Sequence, residues 1–127
     1  HRSRAMAKKH NPRFLAIVEA AREDIQECTA KDLESLLAEG AIVIDVREKY
    51  EFENGHLQGA IHIGKGVLER DIEKHEFSID SKLVLYCGGG FRSAIAVKSL
   101  KEMGYTDVYS LWGGWRGILS EGLETSE

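Results

Sequence analysis

The chain has a single proline, Pro12, only two cysteines, Cys28 and Cys87, and no long apolar run. Each scarcity excludes something. One proline near the start leaves no proline-rich linker to divide the 127 residues, so a single domain is expected. Two cysteines are too few for a disulfide scaffold, and a chain of this length buries enough surface to do without one. Sequence alone leaves a Cys28–Cys87 disulfide open, although two cysteines also fit a reducing compartment. Without a stretch of about twenty apolar residues there is no membrane span, and no signal-peptide core stands at the start; a cytoplasmic protein is expected. A net charge of −4 gives no reason to expect nucleic acid as the main partner. With 43% hydrophobic and 30% charged residues, the composition also argues against disorder.

Acid is missing at the start: none precedes Glu19, whereas Arg2, Arg4, Lys8, Lys9 and Arg13 are basic. His1 to Ala5 precede Met6 and read as a cloning remnant, with the native start at Met6. Asn11-Pro12 then has the form of an N-cap and first helical position, and Phe14, Leu15, Ile17, Val18 and Ala21 recur with helical spacing. Residues 1–24 are therefore expected to be a basic segment and a helix ahead of the main fold, residues 25–122 the domain proper, and residues 123–127 a tail.

Within the domain, a short first strand ends at Cys28. Thr29 and Asp32 form a capping pattern before Leu33, Leu36 and Leu37, and Gly40 stops that helix. Ala41 to Val46 is short and β-branched, which predicts a buried strand. Glu48 to Glu53 predicts a short helix, Ala60 to Ile63 a strand, Val67 to His75 a helical connection and Lys82 to Tyr86 a strand. A helix follows from Ser93 to its stop at Gly104, then a last strand over Asp107 to Leu111. Strands alternating with helices imply an α/β fold with a mostly parallel sheet.

The stretch Tyr86-Cys87-Gly88-Gly89-Gly90-Phe91-Arg92-Ser93 falls between a buried strand and a helix start. In such sheets ligands sit beyond the carboxyl ends of the strands. Glycines let consecutive backbone N–H groups converge on an anion, the helix start adds partial positive charge, and Arg92 adds a full one. A thiol in surroundings of this kind gains thiolate character. The plainer reading is a flexible glycine turn beside an inert buried cysteine. It accounts for the cysteine, but not for three glycines, an arginine and a helix start within six residues.

That loop resembles the active-site loop of the rhodanese (sulfurtransferase) family. Ile44-Asp45-Val46-Arg47-Glu48, then Glu51-Phe52, then Gly55 to His62, resembles the family's upstream signature, and Val108 to Gly114 its closing strand and Gly-Gly turn. The resemblance covers about Ile25 to Gly122. It implies a three-layer domain with a central five-stranded sheet flanked by helices, and Cys87 as the catalytic residue that carries sulfur as a persulfide. It further implies that Gly88, Gly89, Gly90, Phe91, Arg92 and Ser93 bind the substrate sulfur or donor, with Asp45 and Arg47 holding the loop in shape. The implied partners are a small-molecule sulfur donor such as thiosulfate and an acceptor such as cyanide or a thiol, a protein acceptor included. No cofactor, metal or membrane is implied.

The bland readings stand beside these. Asp45 and Arg47 at a strand end also fit a structural ion pair, His56 a hydrogen-bonded turn residue, and Cys28 a small core side chain rather than a resolving thiol. Trp112 and Trp115 fit packing residues, one of them at the site entrance. The histidines show no metal-ligand spacing with either cysteine. Two other functions remain: a cysteine phosphatase or arsenate reductase, whose loops typically hold five residues between Cys and Arg where this chain has four, and a non-catalytic binding module of rhodanese-like fold. No carboxylate beside the loop suggests itself in sequence as the general acid a phosphatase needs.

Overall fold

A strand buried on both faces must be apolar throughout, because successive side chains alternate between two packed layers. Leu83 to Tyr86 and Ile42 to Ile44 satisfy this, and the strands that hold them, Lys82–Tyr86 and Ile42–Asp45, lie side by side at the centre of the sheet in the computed structural model, which describes residues 10–127. In chain order the helices are α1 (Pro12–Arg22), α2 (Leu33–Ala38), α3 (Lys49–Glu53), α4 (Leu68–Asp71), α5 (Arg92–Glu102) and α6 (Gly114–Ser120). The strands are β1 (Gln26–Cys28), β2 (Ile42–Asp45), β3 (His56–Leu57), β4 (Ile61–His62), β5 (Lys82–Tyr86), β6 (Asp107–Leu111) and β7 (Thr125–Ser126). The main sheet runs β1-β6-β5-β2-β4, and every pairing in it is parallel, as the alternating pattern predicts. The basic residues among 1–9 lie outside the described residues.

The alternation along β5 organises the core. Leu83, Leu85 and, one step past the strand, Cys87 pack on one side with Leu68 and Ile72 of the α4 region and Val97 and Leu100 of α5. Val84 and Tyr86 pack on the other with Leu33 of α2 and Ile118 of α6. Helices therefore cover both faces, as the three-layer expectation requires. Cys28 belongs to the second cluster and Cys87 to the first, and both thiols are free, so the disulfide left open by the sequence does not form. Burial, with Asp32 and Glu27 nearby, pushes the Cys28 thiol up to about 12, the state of an inert core residue rather than a resolving thiol.

Two features depart from the sequence expectation. A Gly-Gly turn is expected after β6, and Gly113 does stand in a turn, but Gly114 already opens a helix, α6, that the sequence pattern does not predict. Residues 123–127 are expected as a tail, but Thr125–Ser126 pairs antiparallel with His56–Leu57 in a separate two-stranded sheet. Among the described residues, no helix is long and apolar enough to cross a membrane.

Helix α1 starts where Asn11-Pro12 predicts and docks on α5 through Val18 and Ala21 against Ala94, with Phe14, Phe91 and Ile95 at the margin. Its exposed Ile17 faces away.

Candidate active site

Cys87 extends β5 by one residue, so the pleat aims its side chain toward the α5 layer, where the first turn of that helix begins at Arg92. The loop between them closes on the sulfur. Gly90 N–H donates to Cys87 Sγ at 3.2 Å and Ser93 N–H donates to it at 3.3 Å. The thiol donates in turn to Ser93 Oγ at 3.5 Å, and Ser93 Oγ lies 2.8 Å from Ser110 Oγ of β6, both serines fully buried. Two backbone donors and a hydroxyl chain thus surround a sulfur atom in an otherwise apolar layer.

Gly90 adopts φ +96°, a conformation side chains disfavour, and a Cβ there would sit 3.0 Å from Gly113 N and 3.1 Å from Leu111 O. The loop is also gripped from outside. Trp115 N–H donates to Cys87 O at 2.7 Å and Arg116 N–H to Gly88 O at 3.2 Å, so the first N–H groups of α6 bind loop carbonyls. This approach requires glycine at 114, with φ +52°, because a Cβ would run into the carbonyls of Cys87 and Gly88, the latter at 2.9 Å.

Cys87 lines a cleft of about 610 Å³. Arg92 and Arg116 line it, together with Phe14, Phe91 and Trp115. Arg92 Nη1 lies 3.4 Å from Glu51 Oε1. Arg116 reaches the cleft across Gly89, where a Cβ would stand 2.5 Å from its Nη2. The carboxylates Glu48 and Glu51 line the same cleft, although neither stands out beside the loop in sequence. Partial burial works to raise the Glu51 carboxyl, but the Glu48 N–H at 2.9 Å and the Arg92 guanidinium outweigh it, and the net shift is downward.

Asp45 and Arg47 are buried and joined by a bidentate pair, Arg47 Nη2 to Asp45 Oδ2 at 2.8 Å and Nε to Oδ1 at 3.1 Å. Arg47 Nη2 also donates to Gly55 O at 2.7 Å, and its guanidinium lies 4.7 Å from the centre of the Trp115 ring. Burial opposes the charge on Arg47, but the hydrogen bond and charge of Asp45 prevail and raise it. The pair therefore ties the end of β2 to the Gly55 turn and to Trp115, and the Arg47 guanidinium also lies 5.5 Å from the centre of the Tyr86 ring, one residue before Cys87. His56 opens strand β3 directly after Gly55 rather than lying in the turn; its Nδ1–H donates to Phe52 O at 2.8 Å and its ring stacks on Phe52 at 3.7 Å.

Sequence reasoning missed three contributors: Arg116, the α6 N–H groups and α1. The last places His10 and Phe14 in the cleft wall and sends Arg22 Nη2 to Gly90 O at 3.0 Å, across 68 residues of sequence.

Comparison with known proteins agrees with this architecture. A relative in Bacillus subtilis, YqhL, is 41% identical over 76 residues, covering 60% of this chain and 59% of that protein. The thiosulfate sulfurtransferase GlpE of Stutzerimonas stutzeri is 33% identical over 91 residues, 69% of this chain and 82% of that one. A Listeria welshimeri tRNA uridine(34) hydroxylase is 34% identical over 88% of this chain, which spans only 39% of that protein's length. Among solved structures, a Rhodopseudomonas palustris protein of unknown function, named a possible tyrosine phosphatase, superposes with TM-score 0.81 at 27% identity, covering 95% of this chain and 99% of that one. The rhodanese-like domain of an Anabaena protein gives TM-score 0.71 at 25% identity, covering 79% and 77%. The family model described as rhodanese-like domain matches residues 29–121, from the capping residue before α2 through α6 and including the whole cysteine loop, and the chain belongs to that family.

Proposed function

We propose that this protein is a sulfurtransferase that moves sulfane sulfur from a donor such as thiosulfate, through a persulfide on Cys87, to a thiophilic acceptor such as cyanide or a thiol. The observation that carries the reading is the pair of backbone N–H groups, Gly90 and Ser93, converging on Cys87 Sγ at the end of a buried strand. The Cys87 thiolate attacks the outer sulfur of thiosulfate. The bond to the sulfonate sulfur breaks, and its electron pair leaves with sulfite. Cyanide then attacks the terminal sulfur of the persulfide, the bond to Cys87 Sγ breaks, thiocyanate departs and the thiolate returns. No external oxidant is consumed, and no side-chain base is needed once the thiol has ionised. The two amides stabilise negative charge on whichever sulfur holds it, without reorganising.

Arg92 and Arg116 supply the positive charge at the cleft that an anionic donor requires. Arg92→Ala is expected to lower sulfur loading at sub-saturating thiosulfate by about tenfold, the loss of one charge-assisted contact, with little change in melting temperature. An unchanged dependence of rate on thiosulfate concentration would remove Arg92 from donor binding.

The structural neighbour named as a possible tyrosine phosphatase raises that second reading for this chain. Two observations weigh against it. Four residues, not five, separate Cys87 from Arg92, which makes a tighter cradle. Glu51 is held ionised by Arg92 and the Glu48 N–H, whereas a general acid must hold a proton near neutral pH. Intact-mass measurement after exposure to thiosulfate decides between the readings. The sulfurtransferase gains the mass of one sulfur atom and loses it again on adding cyanide, whereas absence of that gain, with hydrolysis of p-nitrophenyl phosphate, would establish the phosphatase.

A further inference from the structure

We infer that Arg22, in the last turn of α1 and outside the segment that matches the family, is a positioning residue for the sulfur cradle. The inference rests on the sulfurtransferase reading of the Cys87 loop. Gly90 performs two tasks through the two peptide groups that flank its Cα: its N–H faces Cys87 Sγ at 3.2 Å and its C=O accepts from Arg22 Nη2 at 3.0 Å. The residue has φ +96°, a glycine conformation with several neighbouring wells, so its orientation depends on what holds it. On the inner side Leu111 O and Gly113 N crowd it, and on the outer side stands Arg22.

Arg22 is itself well placed to act as a fixed post. Its guanidinium carbon lies 5.0 Å from the centre of the Phe91 ring, so it clasps two consecutive loop residues, one by hydrogen bond and one by cation–π contact. Its Nε is buried and lies 3.2 Å from Glu27 Oε2, an ion pair whose angles fall short of a hydrogen bond. A cation at the end of a helix is also favoured by the helix dipole. The Val18, Ala21 and Ala94 contact locks α1 to α5, the helix whose first turn supplies the second sulfur donor, Ser93 N–H. Both donors are thereby referenced to one rigid pair of helices. Helix α1 thus completes the site, which the matched segment alone leaves open at Gly90.

The test uses the full chain and two substitutions. Arg22→Met keeps an apolar stem beside Phe91 and removes the donor, whereas Arg22→Lys keeps a donor for Gly90 O. In Arg22→Met, residue-resolved amide hydrogen exchange is expected to show lost protection at Gly90 with retained protection at Ser93 and in β5. Sulfur loading from thiosulfate is expected to fall about tenfold, a fraction of what removing an anion-hole donor outright costs. Arg22→Lys is expected to recover both. Equal loss of protection across β5 and α5 would mean that Arg22 serves only general stability, and unchanged protection at Gly90 would mean that it does not position the loop; either overturns the inference. The exchange measurement needs no sulfur donor. If the wild-type protein fails to load sulfur, the sulfurtransferase reading falls, while the exchange pattern still decides whether Arg22 orients Gly90.

Discussion

Cys87→Ser is expected to abolish sulfur transfer and leave the fold standing. The substituted oxygen would occupy nearly the same place as Sγ and would still accept from Gly90 N–H and Ser93 N–H, so no buried donor is orphaned. The expected change in unfolding free energy is therefore small, about 1 kcal/mol or less. Chemically the change is total. A serine hydroxyl stays protonated near neutral pH and is a poor nucleophile toward sulfane sulfur, so no mass gain should follow thiosulfate treatment and no thiocyanate should appear with cyanide. A folded Cys87→Ser protein that still produced thiocyanate would place the chemistry elsewhere, and Cys28, buried and held protonated on the opposite side of the sheet, offers no substitute.

Arg47→Ala is expected to be the most damaging change to stability. Asp45 is fully buried, and Arg47 supplies its partner in a bidentate contact. Removing the guanidinium leaves a charged carboxylate in a low-dielectric layer, a loss of about 3–5 kcal/mol. A domain of this size is stable by about 5–15 kcal/mol, so the variant would fold marginally. The same substitution frees Gly55 O and withdraws the cation from the Trp115 ring, which carries the disturbance toward the Cys87 carbonyl. The double variant Asp45→Leu/Arg47→Met removes both charges, and it is expected to recover much of the loss because a buried pair adds little over well-packed apolar side chains. Urea titration checks both. A single-variant loss under 1 kcal/mol would show that water reaches the pair.

The central part of this arrangement was legible in the amino-acid sequence because it is local. The apolar runs Leu83 to Tyr86 and Ile42 to Ile44 can only be doubly buried strands, and the step from Tyr86 to Cys87 to the glycines puts a thiol at a strand end beside a helix start. Helix α6 was not legible. Gly113, Gly114 and Gly117 lower helix propensity, and their reason for being there is the close approach of Gly114 to the Cys87 and Gly88 carbonyls, a contact between segments far apart in sequence. The β3–β7 pairing has two residues on each side, too few to leave a pattern. Arg22 and Arg116 carry no local signal, since nothing local distinguishes an arginine that reaches Gly90 from one that faces water, and Glu51, although part of the upstream signature, shows nothing in sequence of its place opposite Arg92. The pairing of Asp45 with Arg47 was visible, but its direction, toward Gly55 and Trp115 rather than into the loop, depends on where α6 lies.

The donors that face Cys87 Sγ belong to the main chain. No side-chain replacement can delete a peptide N–H short of proline, so the donors persist through any substitution that leaves the loop backbone in place, as long as Gly90 and Gly114 stay glycine. The cleft above them is freer: Arg92 and Arg116 can each change side chain without removing those amides. On the proposed sulfurtransferase reading, sulfur handling and substrate choice are therefore heritable separately, and a lineage could exchange one donor or acceptor for another while the step at sulfur stayed the same.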